Sequence, residues 1–179
     1  MKKMLLVLIG VLFLMGCSSE ETNESSSNSD TKEVVKEAKE EKGVYFKDGE
    51  AKLEDLKIKI TETKVIQPGE KGNEYGEKPV FAIWYDTTNL SDKEIHPIMA
   101  WSVVFEAVQD NNPNAVNTLE VAGLPDDQFL DTQMEIIKKD GTVPNAVAYE
   151  LDDLETPVIL TATQGVGGDE LGTQEFDIK

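Results

Sequence analysis

Residues Pro79–Asn89 read PVFAIWYDTTN, and this stretch sets the fold class of the chain. Val80, Ala82 and Trp84 fall on one parity of an extended chain, and Phe81, Ile83 and Tyr85 fall on the other. A strand that is apolar on both sides is a central strand or one whose outer face is covered. A Trp inside such a strand is expected to fill the core, so Trp84 is assigned to the interior.

Shorter extended runs lie on either side. Upstream, Leu56, Ile58 and Ile60 alternate with Lys57, Lys59 and Thr61, the pattern of a half-buried strand, which continues to Ile66. Pro68-Gly69 ends it, and Gly69–Lys78 is a polar loop. Before it, Tyr45-Phe46-Lys47 enters an Asp48-Gly49 turn, a pair that tolerates the positive φ of tight hairpins. Downstream, Asn89–Lys93 is a turn, and Pro97 makes Ile95–Met99 an edge or an irregular bend. Trp101–Gln109 (WSVVFEAVQ) reads as a strand with Trp101, Val103, Phe105 and Ala107 on one face. Asp126–Leu130 is read as a helical turn, followed by a strand leading to Asp140-Gly141. Ala146–Leu151, Pro157–Thr163 and Glu170–Ile178 are the remaining strands. About seven short strands and no long helix predict an all-β sandwich.

The N-terminus sets the compartment. Lys2 and Lys3 precede the apolar run Met4–Met15. At about 1.5 Å per residue a helix of this length reaches roughly 18 Å, short of the roughly 30 Å hydrocarbon core. The run therefore reads as the apolar region of a signal peptide. Leu14-Met15-Gly16-Cys17 resembles the lipobox of bacterial lipoproteins, with Met15 in place of the more usual small residue. That resemblance implies cleavage after Gly16 and a diacylglyceryl thioether, with further acylation such as palmitate, on Cys17. Two acyl chains hold a protein at a membrane where one is marginal. Residues 1–16 are then the signal peptide, 17–42 an acylated cysteine and disordered polar tether, and 43–179 the folded domain. As coil, the roughly 25 residues of the tether span about 25–30 Å, and roughly 85 Å if extended.

Composition narrows the function. The formal net charge is -18, and it becomes -20 once Lys2 and Lys3 leave with the leader. Every basic residue is Lys. This argues against nucleic acid as a partner and against adhesion to an anionic lipid surface without the acyl anchor. Cys17 is the only cysteine, so an exported chain of this sequence folds on its apolar core without an internal disulfide.

The stretches YGEKPVFAIWYDTTNLSDKEI, AWSVVFEAVQDNN, LPDDQFLDTQMEIIKKDGTV and AVAYELDD followed by PVILTATQG carry a family resemblance. Together they resemble an uncharacterised family of Gram-positive surface lipoproteins with an immunoglobulin-like, telokin-like domain. The resemblance covers roughly Tyr45–Ile178 and implies an immunoglobulin-like β-sandwich. It implies no activity and no functional residues.

Candidate sites are few. His96 is the only histidine, and beside Pro97 it reads as an exposed turn residue. It leaves no two-histidine metal site and makes any Ser-His-Asp triad depend on one residue. Acidic clusters stand at Asp110–Asn112, at Asp126, Asp127 and Asp131, and at Asp152, Asp153 and Glu155. Sandwich loops can supply the six to eight oxygens calcium takes, but no stretch has the spacing of a helix-loop-helix calcium loop. No catalytic residue, cofactor or metal ligand is assigned. The reading is a non-catalytic, membrane-held binding module for an unknown protein or cell-wall partner. A calcium-dependent module and a hydrolase are the alternatives. The partner site is placed in the Asp110–Gln133 connection, the longest stretch without strand periodicity; a structural cap over one mouth of the sandwich is the alternative for the same residues. Asp126, Asp127 and Asp131 offer charge there, and Phe129 offers an apolar contact.

Overall fold

The computed structural model describes residues 43–179. The leader, Cys17 and the tether lie outside the described residues. Two antiparallel sheets carry eight strands. β1 (Tyr45–Lys47), β2 (Glu50–Lys52), β3 (Leu56–Ile66), β4 (Val80–Asn89) and β6 (Thr142–Glu150) form one, in the order β1-β2-β3-β4-β6. β5 (Phe105–Gln109), β7 (Val158–Thr163) and β8 (Glu170–Phe176) form the other, in the order β5-β7-β8. The triplets β3-β4-β6 and β5-β7-β8 reproduce the A-B-E and C-F-G arrangement of an immunoglobulin-type sandwich, with β1-β2 added as a hairpin. The Asp48-Gly49 turn of that hairpin has φ 50° and 70°, as its residues require.

β4 is central, paired with β3 along its whole length and with β6 from Val80 to Thr88. Phe81, Ile83 and Tyr85 face the core between the sheets, with Ile58 and Leu160 among their buried companions. In β3 the register shifts between Ile60 and Glu62. This bulge changes the parity, so Ile60 before it and Val65 after it pack against the same core.

Three features depart from the sequence reading. Ile95–Met99 is not an edge strand, and Trp101 does not begin one. Pro97–Val104 is an α-helix, α1, with Pro97 in its first turn, where the missing N–H costs nothing. Pro97, Ala100, Trp101 and Val104 are its buried residues, at helical spacing. α1 carries the chain from one sheet to the other, and β5 is only the second half of the expected strand. The expected strand before Asp140 is absent as well: after a 3-10 turn at Asp127–Phe129 the chain runs through turns to Ile137.

Trp84 is the third departure. Because the other parity of β4 faces the core, Trp84 points outward with Val80 and Ala82. There it is half-buried in a second cluster with Ile66, Ala148 and Ala122. The tryptophan of the main core is Trp101, 1% exposed. Its ring lies 4.3 Å from those of Tyr85 and Phe105, and its indole N–H donates to the Tyr149 hydroxyl at 2.8 Å.

Candidate functional site

The Asp110–Gln133 connection is bound to the sandwich along much of its length. Gln109 N–H donates to Asn117 O and Leu119 N–H to Ala107 O, which ties the connection to the edge of β5. Ala122 N–H donates to Ala148 O and Glu150 N–H to Glu120 O, which ties it to the edge of β6. A few residues thus cover edges of both sheets, and the segment that follows covers the outer face of β4. Gly72, at φ +91°, brings the 67–78 loop against this cover: a Cβ there would clash with Pro125 O.

The four residues assigned to a partner site fall into two pairs. Asp126 caps the 3-10 turn through the Gln128 N–H and accepts the Trp84 indole N–H at 3.2 Å. Burial, the largest single influence on its carboxyl, pushes the pKa up. The bonds from Trp84 and Gln128, with Lys71 nearby, outweigh it, and the net shift is downward. Phe129 is 9% exposed and anchors the turn in the structure. Asp127 and Asp131 are exposed.

The other acidic clusters hold loops together. Asp153 accepts from the Thr156 N–H at 2.7 Å, from the Asn111 amide at 2.9 Å and from the Glu155 N–H at 2.9 Å. These bonds, that from Thr156 foremost, hold its carboxyl far below the usual carboxylate range. Asp152 is lowered by Lys78, 3.1 Å away, and by the Asn117 amide. Asp126, Asp127 and Asp131 do not join Asp110, Asp152 and Asp153, and among the described residues no three His, Cys, Asp or Glu side chains are placed to hold a metal ion.

His96 is half-buried, not an exposed turn residue. It is the residue before α1, and its Nδ1 lies 2.9 Å from Met134 O. A carbonyl only accepts, so that nitrogen carries a proton. Nε2 lies 3.4 Å from a Glu94 carboxylate oxygen. Ile98 N–H donates to Gln133 O and Ile137 N–H to Ile95 O. These bonds pin residues 133–137 beside the first turn of α1.

Side by side, these two segments expose apolar side chains that the sequence reading did not bring together. Leu130, Met134 and Ile136 are 64%, 57% and 60% exposed, and Met99 of α1 is 50% exposed. Val103, one turn further along α1, is also exposed. Asp127, Asp131 and Glu135 stand in the same segment, and none has an ion-pair partner among the described residues. The signal in the sequence was the helical spacing of Pro97, Ala100, Trp101 and Val104, which turns Met99 and Val103 outward.

A family model described as a domain of unknown function, DUF5067, matches residues 18–164. A solved structure from Staphylococcus aureus, described as a "putative lipoprotein", is 20% identical with a TM-score of 0.63, covering 75% of this chain and 92% of that one. It has the same fold. An uncharacterized beta-sandwich protein from Clostridium difficile 630 is 16% identical with a TM-score of 0.45, covering 78% of this chain and 98% of that one. No curated protein matches the sequence.

Proposed function

We propose, from the premise that the chain belongs to the DUF5067 family, that it is a non-catalytic binding module held at the outer face of a Gram-positive cell membrane. The observation that carries this is the surface formed by α1 and residues 130–136. Solitary exposed apolar residues are ordinary, but several long ones on adjoining segments mark an interaction site. Asp126, Asp152 and Asp153, by contrast, are engaged in holding loops. Within the assigned partner site, Asp127 and Asp131 meet the partner, while Asp126 and Phe129 hold the segment in place.

The anchor is lipid on Cys17, with residues 1–16 removed as the leader and 17–42 serving as the tether. The lipobox motif supports this, as does the likeness in fold to a protein described as a "putative lipoprotein". Cys17→Ser in the full chain tests it. The variant is expected to leave the membrane fraction for the medium, or to keep its leader. Normal processing with the protein still on the membrane would refute the anchor.

A further inference from the structure

We infer that the surface of α1 and residues 130–136 takes a basic, amphipathic polypeptide segment, one presenting apolar side chains flanked by Lys or Arg; this rests on the binding-module reading above. Two properties of the surface specify such an occupant. Its centre is apolar and deformable: Met99, Leu130, Met134 and Ile136 include two thioether side chains, which adapt to many shapes. Its border is mainly anionic: Asp127, Asp131 and Glu135 are exposed and form no ion pair among the described residues, against one exposed lysine of the same segment, Lys138. Among other acids of the domain, Asp92 is paired with Lys139 at 3.0 Å and Asp55 with Lys93. A partner with Lys or Arg beside its apolar residues supplies the missing charge. Complementary charge at a rim sets partner choice and association rate more than affinity. A second copy of the chain meets the opposite condition, because each copy carries a net charge of -18 with its leader and -20 without it. An anionic lipid surface is repelled for the same reason.

The test uses the full chain in phosphatidylcholine nanodiscs, with empty nanodiscs as the blank. The probe is a short fluorescent helix-forming peptide of Leu, Ala and Lys, beside a twin in which Glu replaces Lys. The Lys peptide is expected to bind, more weakly as salt rises, and the Glu twin is expected not to bind. The double variant Met134→Lys, Ile136→Lys should lose about tenfold or more in affinity. Both positions are exposed, so its melting temperature should match that of the parent. Val166→Lys, on the exposed hairpin tip between β7 and β8, should bind as the parent does. Equal binding by the Glu twin, no binding of the Lys peptide, or unchanged binding by the double variant overturns the inference. The binding-module reading fails separately. Photocrosslinked adducts in intact cells from Tyr75 or Val166 alone would keep that reading and discard this surface, and no adducts from any exposed position would discard the reading itself.

Discussion

Trp101→Phe probes the packing that joins α1 to the sandwich. The substitution keeps an aromatic ring between Tyr85 and Phe105 but removes two ring carbons and the indole N–H. The lost hydrogen bond to the Tyr149 hydroxyl is neutral and buried, worth about 0.5–1.5 kcal/mol net. Two buried carbons add about 1.6 kcal/mol at roughly 0.8 kcal/mol each. The expected destabilisation is therefore about 2–3 kcal/mol. For a domain of roughly 140 residues, each kcal/mol moves the melting temperature about 3–4 °C, so a drop of roughly 6–12 °C is expected. Trp84→Phe is the comparison. It loses a bond to the Asp126 carboxylate, but at a half-buried site on the outer face, and should cost about half as much. Melts of both variants would be followed by far-UV circular dichroism, and the emission of the remaining tryptophan would be recorded. Trp101 alone should emit at shorter wavelength than Trp84 alone. An unchanged melting temperature in Trp101→Phe with a larger loss in Trp84→Phe would refute the assignment of Trp101 to the core.

Further predictions concern buried polarity and acid. The Thr87 hydroxyl is fully buried and has no hydrogen-bond partner among the described residues. Thr87→Val removes it at constant shape and should raise the melting temperature by a few degrees, about 1 kcal/mol; a lower one would mean that the hydroxyl is bonded. Asp153, Asp152 and Asp126 have folded pKa values lowered below those of the unfolded chain. Their contribution is full above the unfolded value near about 4 and is lost as pH falls through it towards the folded values. Melting temperature should therefore fall with pH in this range, less steeply in Asp153→Asn, and equal slopes would remove Asp153 from the account.

Much of the fold was legible because β4 is an unambiguous strand and its neighbours alternate. The exceptions share a cause: local pattern does not say which side a neighbouring element covers. PVFAIWYDTTN is apolar on both parities, so nothing within it identifies Phe81, Ile83 and Tyr85 as the core face and Trp84 as the covered outer one. That choice is made by distant residues, Asp126 and Ala122, which close over Trp84. In IHPIMAWSVVFEAVQ the apolar residues satisfy both a period of 2 and one of 3.6. The strand pattern is sound from Phe105 to Gln109, but Pro97 in a first helical turn and the need to cross between sheets make the preceding residues helical. The partner site was placed in the Asp110–Gln133 connection for one physical reason, the lack of strand periodicity, and the surface proposed above shares with that connection only residues 130–133. Its content was only half visible, since Asp126 and Phe129 turn inward and Met99 comes from another element.

The central claim is that this module meets its partner through α1 and residues 130–136. Its most direct test is photocrosslinking in intact cells, from a benzoylphenylalanine placed at Met134 of the full chain and, separately, at Val166. The account predicts a polypeptide adduct from position 134 that fades when Asp127 and Asp131 are changed to Lys, and little from position 166. Adducts from 166 but not 134, or an adduct from 134 that ignores the charge reversal, would contradict it.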